Sequence, residues 1–200
     1  MSKNILIYGA GAIGRGYLPW ILSGKSKISY VENNNNLLNF FKKNKNFFSL
    51  MIKNQKYLSK KVFFENIYRF GEEVKYINNF DLIILCAGTR SIELISENLL
   101  NFKKKILVLE NDFKCIDALK TKLPSNKNIF FGIPDVISSN TASEKIKKKY
   151  GEKSIITENG VCYVEKKLKP FFDKATFLNQ KDLYDQWICK LYLHNTVHCI

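Results

Sequence analysis

The chain has 200 residues, enough for one domain with a substantial core and room for the start of a second. Its hydrophobic share is 46%, and no apolar run approaches the roughly 20 residues that a membrane-spanning helix needs, so membrane partners are not expected. The net charge of +14 comes from 32 Lys and Arg against 18 Asp and Glu, scattered in small lysine clusters beside asparagines rather than in a basic motif. That pattern fits codon bias in an AT-rich genome or attraction of an acidic small substrate better than nucleic-acid binding.

Residues 4–8 form a short apolar strand that runs directly into Gly9-Ala10-Gly11-Ala12-Ile13-Gly14. This G-x-G-x-x-G sits in the strand–turn–helix context that gives the pattern its meaning. Gly9 allows the tight turn, Gly11 lets backbone approach a pyrophosphate, and Gly14 lets the next helix pack on the sheet. That helix is expected to carry Ile13, Leu18, Trp20, Ile21 and Leu22, and its N-terminus offers free N–H groups to phosphate. A second strand, 27–32, ends in Glu32, 18 residues past Gly14. A carboxylate at about that distance meets adenosine ribose hydroxyls and repels a 2′-phosphate, favouring NAD over NADP.

Leu37, Leu38, Phe40 and Phe41 predict a short helix, and 47–70 a β-hairpin or small added sheet with its turn at Asn54-Gln55-Lys56. The apolar run 81–88, ending Cys86-Ala87-Gly88-Thr89, reads as a buried parallel strand. A helix over 91–100, a strand over 105–110, a helix over 113–123 and a strand over 128–132 follow. Residues 155–164 predict one more strand, 167–177 an irregular connection, and 181–198 a helix. The alternation indicates an α/β, Rossmann-like, doubly wound and mostly parallel sheet with an inserted β-hairpin. Ala87, Gly88 and Thr89 end a central strand and join Gly9, Gly11, Ala12, Ile13, Gly14 and Glu32 as expected cofactor contacts. Chemistry is expected at the carboxyl ends of the later strands, at Glu110-Asn111, and on the last helix with Lys190, His194, Asn195 and His198. Residues 190, 194 and 198 fall along one helix face, with Asn195 flanking it.

Lys190, then Asn195, then His198 resembles the catalytic helix of the polyol-specific long-chain dehydrogenases, the mannitol dehydrogenase family. The opening Gly9-Ala-Gly-Ala-Ile-Gly-Arg-Gly16-Tyr17 and Glu110-Asn111 are similar to its mannitol-1-phosphate 5-dehydrogenase subgroup. The resemblance implies an NAD-dependent enzyme interconverting a sugar alcohol phosphate and a ketose phosphate by hydride transfer. Hexuronate (tagaturonate or fructuronate) reduction is the alternative within the family, and a non-catalytic NAD-binding remnant the alternative outside it. Lys190 would be the general base, its pKa lowered by burial and nearby charge. Asn111, also near the cofactor, and Asn195 would stabilise developing negative charge on the substrate oxygen. His198 would position a neighbouring hydroxyl. Asp135 stands where the family has Asp-Arg-Ile, but Val136 replaces the Arg; Val197 replaces a glycine, and Trp187 and Cys189 occupy the region where an acid near the lysine is usual.

The family continues into a helical domain, so 1–180 is expected to be the NAD-binding domain and 181–200 the start of a truncated second one. No metal is expected, since lysine takes the place of zinc as proton acceptor and the His194/His198 pair lacks further ligands. The five cysteines form no C-x-x-C pair, and no secretory signal precedes the first strand, which points to a reduced, cytoplasmic protein. The expected partner is a small sugar phosphate or sugar acid.

Overall fold

The computed structural model describes residues 2–110, 112, 114–139 and 142–198, with 138–139 and 193–198 described by backbone alone. Strand β1 (Asn4–Tyr8) pairs in parallel with β2 (Lys27–Glu32) on one side. Two faces of β1 are buried: Ile5 and Ile7 look into one half of the core, Leu6 and Tyr8 into the other. A strand buried on both sides must be apolar throughout, which is why its sequence shows no alternation.

Between β1 and β2 the chain departs from the expected α-helix. Ala12–Tyr17 is a π-helical turn, and only Leu18–Ile21 (α1) is α-helical. The Leu18 N–H reaches back five residues to the Ile13 carbonyl. Pro19 explains the widening, because its ring would collide with the carbonyl four residues earlier in a regular helix and it has no N–H to donate.

After β2, α2 (Asn35–Lys43) is capped by the Asn34 side chain, which accepts from the N–H groups of Asn36 and Leu37. The expected hairpin is β3 (Asn46–Lys53) and β4 (Lys56–Phe63). Its two-residue turn has Asn54 at φ 50° and Gln55 at φ 62°, as a tight hairpin turn requires. Strand β5 (Ile67–Arg69) returns to pair with β2. Then β6 (Leu82–Leu85), α3 (Ile92–Asn98), β7 (Lys105–Val108), α4 (Lys114–Lys122) and β8 (Ile129–Asp135) follow in the expected order.

The short strand β9 (Ser138–Ser139) and helix α5 (Glu144–Tyr150) precede β10 (Ile155–Glu158) and β11 (Val161–Glu165). Residues 155–164 are therefore two strands in different sheets, where the sequence predicts one. The break is at Gly160, which lies so close to the Asp135 carbonyl that a Cβ would sit 2.3 Å from it. The supposedly irregular 167–177 contains a 3₁₀ turn, Lys166–Phe171, and the start of β12 (Thr176–Leu178); its one-turn apolar anchors Leu168 and Phe171 are too short a pattern to read locally.

Among the described residues the main sheet has the order β12-β11-β8-β7-β6-β1-β2-β5, and a second sheet the order β4-β3-β10-β9. Strands β5 through β8 of the main sheet run parallel, and β11 pairs antiparallel to β8. This is the doubly wound order, reversing direction between β1 and β6. Helix α6 (Gln180–His198) packs on β8, β11 and β12, with Leu183 buried.

Candidate functional site

Ligands of open α/β sheets bind outside the carboxyl ends of the strands where the order reverses. Here that point lies between Gly9, after β1, and Cys86, after β6. Two cavities meet there, and both are lined by Cys86.

The first, about 280 Å³, is walled by Gly9, Gly11, Glu32, Ala87, Leu94 and their neighbours. Gly9 has φ +99°, and a Cβ on it would stand 2.6 Å from the Cys86 carbonyl oxygen. A Cβ on Gly14 would stand 1.9 Å from the Gly9 carbonyl oxygen, so Gly14 is what lets the turn fold over the strand end. Around Gly11 there is open space, with no atom within 4 Å of such a Cβ. The two tight glycines build the cradle and the third leaves it open, which suits a pyrophosphate against backbone. Ala12 and Ile13 begin the π-helical turn and are partly exposed. Ala87, Gly88 and Thr89 are exposed at the mouth, with Gly88 at φ +93°.

Glu32 lines this cavity, but its carboxylate already has backbone partners. Oε2 accepts from the Ala10 N–H at 3.1 Å, and Oε1 accepts from Asn33 and Asn34 at 2.8 and 2.9 Å. It therefore clamps the glycine turn to the end of β2 as well as placing negative charge in the cavity. Behind the turn, Arg15 is only 4% exposed. Its Nε donates to the Ala10 carbonyl and its Nη1 to the Lys153 carbonyl, both at 2.6 Å. The guanidinium also lies 5.3 and 5.4 Å from the ring centroids of Phe41 and Phe47. Burial lowers its pKa, which nearby Tyr30 and Glu32 partly offset. Sequence reasoning gave Arg15 no role; an arginine inside an otherwise small and apolar turn was the available signal. The small sheet is fastened to the same turn by Trp20 Nε1, which donates to Ser49 Oγ at 2.7 Å, and by Ser49 Oγ, which donates to the Gly16 carbonyl at 2.6 Å.

The second cavity, about 560 Å³, is lined by Glu110, Pro134, Asp135, Glu158, Trp187 and Lys190 among others. Lys190, on α6, is half-buried and its Nζ donates to the Pro134 carbonyl at 2.7 Å. Burial lowers its pKa, and Asp135 acts in the opposite direction. Glu110 follows β7 and is 9% exposed. It accepts the Gly88 N–H at 2.9 Å and the Ala87 N–H as well. Burial raises its pKa to about 7 despite these two donors. In a chain of net charge +14, the described residues lining this cavity include three carboxylates against one amine.

Lys190 and the Glu110 end of β7 thus meet at one cavity that adjoins the glycine turn. Asn111 lies outside the described residues, as do the side chains of His194, Asn195 and His198; the backbone of the last three continues α6 beyond Lys190. Among the described residues no group of three His, Cys, Asp or Glu is placed to hold a metal ion, and no helix is long and apolar enough to cross a membrane.

No protein-family profile and no curated protein sequence matches the chain. Solved structures do. A probable 2-dehydropantoate 2-reductase from Bacillus subtilis matches with TM-score 0.61 and 13% identity, over 88% of this chain and 58% of that one. Yersinopine dehydrogenase in its apo form matches with TM-score 0.62 and 8% identity, over 82% of this chain and 41% of that one. Octopine dehydrogenase in complex with NADH and agmatine matches with TM-score 0.59 and 11% identity, over 92% and 46%. The chain spans about half the length of these structures, and the likeness is one of fold: a Rossmann-like α/β sheet.

Proposed function

We propose that the chain is the dinucleotide-binding part of an NAD-dependent oxidoreductase. The supporting observation is the pair of adjoining cavities at the sheet's reversal point, one built by the glycine turn and the other carrying Lys190. The glycine turn fits the group: Gly11 leaves free space where backbone N–H groups can face phosphate, and Glu32 adds negative charge on the ribose side. The structural neighbours, some bound to NADH or NADP⁺, are consistent with this cofactor.

A bound nicotinamide supplies the hydride acceptor or donor. The chain's own groups do the rest. Lys190, partly desolvated, takes the hydroxyl proton during alcohol oxidation and returns it on carbonyl reduction. Pro134 holds the amine in place through its carbonyl. Asn111, Asn195 and His198 are proposed to hold the reacting oxygen and its neighbour, as the family resemblance implies. The finer reading is a polyol phosphate and ketose phosphate pair, with 1–180 as the cofactor domain and 181–200 opening a substrate domain. Glu110, Asp135 and Glu158 accept hydrogen bonds from hydroxyls and repel phosphate, so the carbinol end of such a substrate belongs against them.

The test is NADH binding by calorimetry, followed by absorbance at the NADH band with fructose 6-phosphate, fructuronate, tagaturonate and a 2-keto acid. Oxidation of NADH with fructose 6-phosphate supports the finer reading, and preference for a hexuronate selects the alternative. Binding without turnover on any of them leaves the non-catalytic reading. Absence of binding overturns the proposal.

A further inference from the structure

We infer that Glu110 makes the crevice discriminate between the two charge states of the cofactor, favouring the cationic oxidised form and releasing a proton when that form binds. The inference rests on the dinucleotide reading above and concerns a residue to which that reading gives no chemical step.

The Glu110 carboxylate walls the cavity that holds Lys190, and it accepts the N–H groups of Ala87 and Gly88 at the mouth of the neighbouring cavity. It therefore lines one of the two compartments that a dinucleotide would bridge and is hydrogen-bonded to the backbone at the edge of the other. It is 9% exposed, so water screens it poorly. The charged and titratable groups facing it do little to hold its negative charge. Cys86 at the end of β6 and Cys115 on α4 are thiols whose pKa values are raised by burial first and by Glu110 in addition. Asp112 before α4, Asp135 at the end of β8 and Glu158 on β10 are like charges. Among the described residues, Lys190 is the one cation lining this cavity, and its amine donates to the Pro134 carbonyl.

Oxidised nicotinamide carries a positive charge and the reduced ring does not. A cation brought beside a poorly solvated carboxylate favours the ionised form, lowering its pKa. Burial pushes this carboxyl up to about 7 in the free protein, so a nearby cation acts on a group whose two charge states are both within reach near neutral pH. Binding of the oxidised cofactor then expels part of a proton, and binding of the reduced one does not. By linkage, each unit of difference in the carboxyl pKa between the two complexes changes the ratio of their affinities by about tenfold across the titration.

The experiment is calorimetric titration of the whole chain with NAD⁺ and with NADH at pH 7, each in two buffers of different ionisation enthalpy, for wild type and Glu110→Gln. The expected result for a one-unit shift is release of about 0.4 proton with NAD⁺, little with NADH, and loss of the difference in Glu110→Gln. The Kd ratio should also move toward NAD⁺ as pH rises from 5.5 to 8.5 in wild type only. Equal proton release by both cofactors, or an unchanged difference in Glu110→Gln, overturns the inference while leaving dinucleotide binding intact. Failure of wild type to bind either cofactor overturns the functional reading and this inference with it. If Glu110→Gln does not fold, the carboxyl ¹³C resonance of Glu110 in wild type reads the same quantity. Equal midpoints in the two complexes then overturn the inference, and a lower midpoint with NAD⁺ supports it.

Discussion

Lys190 Nζ and the Pro134 carbonyl oxygen are 2.7 Å apart, so the last helix is latched by its amine to the end of β8. The latch presents the lysine to the larger cavity and partly desolvates it. Lys190→Met should reduce turnover roughly 100- to 10,000-fold, the range for removing a positioned proton acceptor, with little change in NADH affinity. Alcohol oxidation needs the neutral amine, so its rate should rise with pH through a midpoint below the ordinary lysine value of 10.5. A midpoint at or above that value in the steady-state pH profile would contradict the assignment.

The glycines of the turn should separate into two kinds. Gly14→Ala puts a Cβ 1.9 Å from the Gly9 carbonyl and should destabilise the fold by about 2 kcal/mol or more. Gly11→Ala meets no atom within 4 Å, and its φ of −86° suits any residue. It should leave stability within about 0.5 kcal/mol while weakening dinucleotide binding. Urea unfolding and calorimetric NADH titration of both variants check the contrast.

Arg15→Met keeps much of the volume between Phe41 and Phe47 but leaves the Ala10 and Lys153 carbonyls without their donor. A loss of roughly 1–3 kcal/mol is expected from the unpaired buried acceptors. Because Ala10 lies inside the fingerprint, NADH affinity should fall with it.

Glu110 makes stability depend on pH in the direction opposite to a salt-bridged acid. Its folded pKa of about 7 lies above the ordinary 4.5. The folded state therefore binds the proton more tightly. That contribution is fully present below the unfolded value and is lost as pH rises through about 7. Glu110→Gln should thus gain on wild type between pH 4.5 and 8, by about 1–3 kcal/mol at the upper end. Chemical unfolding at several pH values reads this directly; a gain toward acid pH would refute it.

What could be read locally was what local chemistry decides. Strand β6 is apolar throughout, and β7 after Lys105, because both are covered on both faces, and Asn54-Gln55 takes the positive φ that its turn demands. What could not be read was decided by distant partners. Glu32 looks like a free acid at a strand end, yet three backbone N–H groups of its own chain hold it. Arg15 is buried because Phe41 from α2, Phe47 from β3 and the Lys153 carbonyl from the turn before β10 gather around it. The break at Gly160 depends on the approach of Asp135, and the π-helical turn on one proline. At the site, Lys190 lines the larger cavity with its pKa lowered by burial, and Glu110 acquired its character from burial that no spacing reveals.

The tie from Trp20 through Ser49 to the Gly16 carbonyl, together with Arg15 reaching Lys153, turns the small sheet into a buttress for the phosphate-cradling turn. The two should open as one cooperative unit, so amide hydrogens of β3 and of residues 12–17 should exchange with solvent at matching rates. A dinucleotide that quiets the turn would then also slow exchange in a hairpin it never touches.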